Sequence, residues 1–256
     1  MEVREALTRR RARTFALAGL GVFLGLWCVL TYGGFVPAVI LPSPTDVLRA
    51  FPVLHFEEAL VRSAGWSIYR VTMGFLLAAA VAIPLGIWMG TFPAVKHFFA
   101  SVLDPLRFLP ISALVPLTIV WFGIEETQKI MFLFLGTVVY LLPLVVQAVE
   151  EVDDVFLQTA TTLGATKGQI VRHVLIPGSL PALGEALRVM NGIGWTYVIM
   201  AEVINARYGL GALITVAGKR SHVDQIFALV IVILVIGVVS DQVIRLVNKQ
   251  LFSWKS

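Results

Sequence analysis

Long charge-free apolar runs alternate with short polar breaks along this chain. Residues 14–32, 71–95, 108–124 and 130–149 form such runs, near or beyond the roughly 20 residues a helix needs to cross hydrocarbon. Two further segments, 181–204 and 223–247, carry charges but are otherwise apolar. The pattern predicts an all-α, polytopic membrane protein with about six transmembrane helices. One membrane domain would occupy residues 14–256, behind a basic stretch at 1–13.

The polar break at 150–177 differs from the others. It reads EEVDDVFLQTATTLGATKGQIVRHVLIP, far more than a tight turn between spans needs. Acids at its start suit the positive end of a helix dipole, which predicts a short helix over 153–163. Gly164 permits a sharp change of direction. Thr166 and Gln169 have capping-box spacing, and Ile170, Val171, Val174 and Leu175 give a second helix an apolar face. Pro177 is expected to stop that helix. Two short helices with a glycine elbow make a knob at the membrane face, and a knob of this size suggests a docking surface.

Elsewhere the polar positions are sparse. Gly74, Ala78, Ala82, Gly86 and Gly90 recur every four residues, a small-residue face suited to close helix packing in lipid. Pro84 lies among them and is a candidate kink. Pro93, Pro105, Pro110 and Pro116 predict a broken helix near 104–110, with Asp104 and Arg107 spaced to pair. After the first span, a proline-rich stretch leads to a short surface helix capped by Thr45, read as a spacer with a lid as the alternative. In the fifth span Glu185 and Arg188 are expected to neutralise one another, and Asp241 and Arg245 to pair in the sixth. Asn191, Trp195, Thr196 and Glu202 are the candidate pathway residues, although Asn and Thr also serve as glue between helices.

Composition supports lipid as the main solvent. The 256 residues are 58% hydrophobic and 14% charged, with mean hydropathy +0.86. A soluble domain carries about 25% charged residues. The net charge of +4 does not mark nucleic-acid binding, because Arg4, Arg9, Arg10, Arg11 and Arg13 sit just before the first apolar run. That placement predicts cytoplasmic termini, with Arg245, Lys249 and Lys255 at the other end. In this topology eleven basic residues fall inside and six outside, with Arg70, Arg107 and Arg188 in spans. The first span is expected to remain uncleaved. The single Cys28 excludes an internal disulfide. The four histidines are scattered, no metal-ligand spacing occurs, and no phosphate-binding loop of the G-x-x-x-x-G-K-[ST] type is present.

Gln158-Thr159-Ala160, Leu163-Gly164-Ala165 and Ile176-Pro177 resemble the EAA loop of ABC-importer permeases. That pattern runs Glu-Ala-Ala, three residues, Gly, and later Ile-x-Leu-Pro. Here Gln158, Thr159 and Ile176 depart from it, while the glycine and proline spacing is kept. The blocks LPSPTDVLRA, RVTMGFLLAAAVAIPLGIWMG, DPLRFLPISALVPLTIVWFGI and MAEVINARYGLGALI look like the nitrate/sulfonate/taurine/bicarbonate branch of these permeases. With the loop they cover about residues 36–250.

The resemblance implies a type I importer permease fold with a coupling helix between spans 4 and 5. It implies that Gln158, Thr159, Ala160, Leu163, Gly164, Ala165, Ile176 and Pro177 contact an ATPase. It further implies two permease chains as a homodimer, ABC ATPase subunits (two copies or a heterodimer), and a periplasmic or lipid-anchored solute-binding protein. ATP and magnesium would be bound by the ATPase partner, with no cofactor in this chain. The location would be the bacterial cytoplasmic (inner) membrane, and the cargo a small anion or organic solute. Two other classes fit six spans: an ion-gradient-driven secondary transporter, which predicts inverted repeats, and a non-transporting scaffold, which needs no polar face on the fifth span.

Overall fold

The computed structural model describes residues 8–204 and 206–252; Arg4 and Lys255, among the flanking charges, lie outside the described residues. All regular elements among the described residues are helices. The chain divides into two compact units, Met1–Leu60 with Ile214–Ile231, and Val61–Leu213 with Val232–Ser256.

The first unit opens with α1, Arg9–Tyr32, whose cap Thr8 accepts from the Arg11 amide. Trp27 donates its indole N–H to the Pro42 carbonyl at 3.0 Å, and its ring lies 6.2 Å from that of Phe227. The next helix, α2, spans Pro44–Phe56 and is capped by Ser43, not by Thr45 as its sequence suggested. Pro44 explains the difference. Its missing N–H and preset φ suit the first helical position, which places Ser43 just outside. Ser43 Oγ accepts from the Asp46 amide at 3.2 Å, and Asp46 accepts from the Ser43 amide at 3.3 Å. Val47, Ala50 and Leu54, three to four residues apart, form the buried face. Arg220 pairs with Glu58 in the same unit.

The second unit is built on α3 (Leu60–Thr91), α6 (Glu126–Glu150) and α9 (Ile176–Val203). The small-residue face of α3 lies against α6. A Cβ added at Gly74 would meet Leu133 Cβ at 2.6 Å; at Gly86 it would meet Val145 Cγ1 at 2.5 Å, and at Gly90 Val149 Cβ at 2.7 Å. The stripe therefore serves backbone approach between two helices, as close packing in lipid requires. Pro84 lies within α3 without ending it. One buried cluster joins Ala78, Ala82, Leu141, Val145, Leu183 and Met190; a second joins Val71, Phe132, Leu133, Trp195 and Val198.

Between α3 and α6 the chain forms α4 (Pro93–Leu106), a tight turn at Ile111–Ala113, and the nine-residue α5 (Leu114–Phe122). The two arms bend by 84°, so the break falls where the prolines predicted it. Asp104 and Arg107 pair at 3.0 Å on the exposed surface of the bend. Residues 108–124 are thus not one straight span; Pro110 precedes the tight turn, and Gly123, with φ +75°, ends the short α5.

Helices α10 (Leu210–Lys219) and α11 (Val223–Leu251) complete the described chain. Four helices (α1, α3, α6 and α11) have the length and apolarity to cross a membrane, and the bent pair would make a fifth. Helix α9 has 28 residues but is not in that set. The expected Asp241–Arg245 pair does not form. Asp241 instead accepts from Arg188 at 2.7 Å, and Arg245 donates to Gln242. Arg188 is half-buried on its helix, whereas Arg245 is exposed and engages Gln242. The Glu185–Arg188 pair is present at 2.6 Å.

Candidate functional site: the knob and the helix leaving it

The knob starts where α6 ends. Glu150 is held by Lys96 at 2.6 Å, and Gln147 donates to Glu151 at 2.9 Å. Asp153 then caps α7 (Asp154–Thr162) by accepting from the Val155 amide at 2.9 Å. The helix closes through two bonds, Ala165 N–H to the Ala160 carbonyl at 3.0 Å and Gly164 N–H to the Thr161 carbonyl at 2.9 Å. This Schellman closure requires a left-handed residue, and Gly164 supplies it with φ +80°. The predicted elbow and its first helix are therefore both present.

Thr166 caps α8 (Lys167–Ile170), and the capping box is complete: Gln169 N–H donates to Thr166 Oγ1 at 3.4 Å, and Gln169 Oε1 accepts from the Thr166 amide at 2.8 Å. Pro177 does not stop the second helix. Val171–Leu175 form a widened π turn, in which the Ile176 N–H reaches the Val171 carbonyl, and the helix continues into α9. Proline at 177 has no N–H for the carbonyl four residues back, and its ring would clash there. The wider turn just ahead of it removes that clash, so the chain bends its hydrogen bonding instead of ending the helix. Val152 packs beneath α9, where a Cβ on Gly178 would meet its Cγ1 at 3.1 Å.

The knob's inner side holds Leu175, which is buried, with Leu157, Ile170, Val171 and Val174 half-buried. Its outer side leaves large apolar groups in the open: Val155 is 60%, Phe156 61% and Leu163 83% exposed. Gln158, Thr159, Gly164 and Pro177 are exposed too, whereas Ala160, Ala165 and Ile176 are half-buried. The eight residues singled out from the sequence thus occupy one folded protrusion but not one surface.

The four candidate pathway residues lie along α9 without converging. Thr196 is exposed and donates to the Ile193 carbonyl at 2.7 Å. Asn191 Oδ1 and Trp195 Nε1 are buried without a hydrogen-bond partner among the described residues. Glu202 is fully enclosed in a polar cluster that the sequence did not reveal. Arg70 donates to Glu202 at 2.7 Å, and to both oxygens of Glu126 at 2.6 and 2.8 Å. It also donates to the Tyr208 carbonyl at 2.7 Å. Ser67 donates to Glu202 at 2.7 Å and accepts from the Leu210 amide at 2.9 Å; the Gly211 amide donates to Glu202 at 2.8 Å. Buried Lys129 bonds the Ile124 and Glu125 carbonyls and stands 3.8 Å from Glu126. Two cations and two carboxylates therefore cancel in a low-dielectric setting, where one unpaired charge would be costly. The cluster fixes α3, α6, α9 and the turn before α10 at one end of the unit. The signal was present in the sequence, since an arginine inside an apolar helix must find partners.

Among the described residues no group of three or more His, Cys, Asp or Glu is placed to hold a metal. The family described as binding-protein-dependent transport system inner membrane component matches residues 82–253.

The chain belongs to this family.

As such a permease, it is the membrane subunit of an ABC importer and leaves ATP hydrolysis to a separate subunit. The taurine transport system permease protein of Escherichia coli (strain K12) is 29% identical, covering 95% of this chain and 90% of that protein. A putative ABC transporter permease of Methanocaldococcus jannaschii is 40% identical over 85% of this chain and 83% of its own length. A putative aliphatic sulfonates transport permease of Bacillus subtilis (strain 168) is 30% identical over 92% of this chain and 85% of its own. In fold the permease matches an inward-facing structure of the MetNI methionine ABC transporter, with TM-score 0.63 and 21% identity over 77% of this chain and 98% of that one.

Proposed function

We propose that two copies of this permease enclose a path for a small oxyanion or sulfonate, and that the protrusion at 150–177 couples that path to a pair of ATPases. The exposed apolar set Val155, Phe156 and Leu163 on an otherwise polar knob is the observation that carries the coupling role. Exposed apolar groups rimmed by polar ones mark surfaces that another protein covers. Gln158, Thr159, Ala160, Leu163, Gly164, Ala165, Ile176 and Pro177 form or support that surface. ATP and magnesium reside on the ATPases. Both termini lie in the cytoplasm, and a solute-binding protein delivers cargo to the opposite face. The two ATPases are identical copies or a heterodimer.

The cargo class rests on the relatives named for taurine, for aliphatic sulfonates and, in Synechococcus elongatus, for bicarbonate. Thr196, Asn191 and Trp195 line or border the path, and Glu202 sets the position of the helix that carries them. ATP binding closes the ATPases and moves both knobs. The cavity follows only if its two orientations differ in affinity for the closed ATPase pair.

Gly164→Pro tests the coupling. Proline is locked near φ −65° and cannot adopt the left-handed elbow. The variant is expected to insert normally yet lose ATPase co-purification and uptake of radiolabelled taurine, alkanesulfonate or bicarbonate. Unchanged ATPase co-purification would remove the coupling assignment. Uptake into vesicles by the permease alone, without ATPase or ATP, would replace the importer reading with a secondary transporter.

A further inference from the structure

The first unit contains a groove of about 380 Å³ formed by α2, the stretch before it and the turn entering α11. Its walls are mixed. Val39, Val53 and Val223 supply apolar surface, while Asp46, Arg49 and Asp224 supply charge. Asp46 is engaged with the Ser43 cap. The charge of Arg49 acts on the Asp46 carboxylate, and Arg49, Asp46 and Asp224 all line the groove. Nearby Arg220 is already paired with Glu58. The groove thus offers a guanidinium and two carboxylates among apolar side chains.

Its surroundings indicate what fills it. Helix α1 is apolar and long enough to cross a membrane, and none of its most hydrophobic window is buried within the chain. Beyond α1, the apolar side chains Phe35, Val39 and Ile40, and Phe56 at the end of α2, are strongly exposed. Helix α2 has 13 residues, about 20 Å, too short to cross a hydrocarbon layer of about 30 Å. A short helix joined to a membrane span, with exposed apolar groups beside charged ones, belongs at the headgroup boundary.

We propose that this groove binds the headgroup of a zwitterionic membrane phospholipid bearing a primary ammonium. Arg49 takes the phosphate, because guanidinium matches phosphate oxygens with paired N–H donors. Asp224, helped by Asp46, takes the ammonium, whose N–H bonds a quaternary choline cannot reproduce. The acyl chains follow Val39, Ile40 and Phe56. This site is separate from the solute path and does not depend on the cargo.

The test uses the full-length permease in detergent, examined by native mass spectrometry with dioleoyl phosphatidylethanolamine, phosphatidylcholine and phosphatidylglycerol offered in equal amounts. Phosphatidylethanolamine should be retained about tenfold over each of the others, the difference expected for one charge-assisted contact. Arg49→Gln and Asp224→Asn should each abolish the preference with unchanged thermal melting, while Arg172→Gln on the knob should leave it intact. Val39→Ser with Phe56→Ser should lower lipid retention as well. Equal retention of the three lipids, or a preference that survives both charge variants, overturns the proposal. So does displacement of the lipid by water-soluble glycerophosphoethanolamine at equal concentration, which would make the ligand a dissolved zwitterion.

Discussion

Arg70 and Glu202 meet at 2.7 Å, with 1% and 0% of their side chains exposed, 132 positions apart in the chain. Glu126 is the third corner, more open to solvent than either. Arg70→Leu would leave Glu202 enclosed and unpaired, and removing one partner of a buried pair costs about 3–5 kcal/mol. We expect a large drop in thermal stability in detergent. Adding Glu202→Leu to the same chain should recover most of it, because the remaining Glu126 can turn to water. A melting temperature for Arg70→Leu within a degree of the parent would contradict the arrangement.

The α3–α6 contact makes a prediction of opposite character. Gly86→Leu would drive a side chain into Val145, where even a Cβ has only 2.5 Å. Overpacking of this kind costs about 1–3 kcal/mol or more. Gly21→Leu on α1 meets nothing within 4 Å and should melt like the parent. Equal melting of the two variants would show that the helices do not touch at Gly86.

Ser43 holds the Asp46 carboxyl below its usual range through a side-chain hydrogen bond, and Arg49 adds a smaller pull in the same direction. A carboxyl with a depressed folded pKa contributes stability above the unfolded value, near 3.9. That contribution is lost as pH falls through the folded pKa. The protection factors of the first amides of α2, taken against intrinsic exchange at each pH, should therefore fall below about pH 4. Asp46→Asn should flatten this acid dependence, and a parent-like profile in that variant would exclude the carboxyl as its source.

Phe156 stands 61% exposed on the knob. If an ATPase covers it, Phe156→Ser should weaken ATPase association about 10- to 100-fold, the effect of losing one aromatic anchor. The permease's own melting should not change. Surface plasmon resonance with the purified ATPase distinguishes this from a solvated surface residue, whose loss would leave the affinity intact.

Local chemistry was the most legible part of the sequence. Thr166 and Gln169, Gly164 and the acids before α7 act over three or four residues, and each forms the predicted structure. Thr45 has the side chain of a cap, but Pro44 takes the first helical position and so moves the cap back to Ser43. Pro177 misled because a helix can widen by one residue per turn, which spacing does not reveal. Asp241 illustrates the harder case: its partner Arg188 is 53 residues away, and a nearer candidate, Arg245, satisfied the sequence pattern. The Arg70 cluster draws on four separate segments, so the sequence could state that Arg70 needed company but not whose.

Because α8, the π turn and α9 join without interruption, a single rod runs from Lys167 to Val203. Its length is roughly 55 Å. One tip carries the elbow, and the other is bolted through Glu202 to two neighbouring helices. A twist applied at the elbow has no loop in which to dissipate, so torque entering at Lys167 must either reach the bolted tip or be absorbed at Val171–Leu175, the one over-wide coil along the shaft.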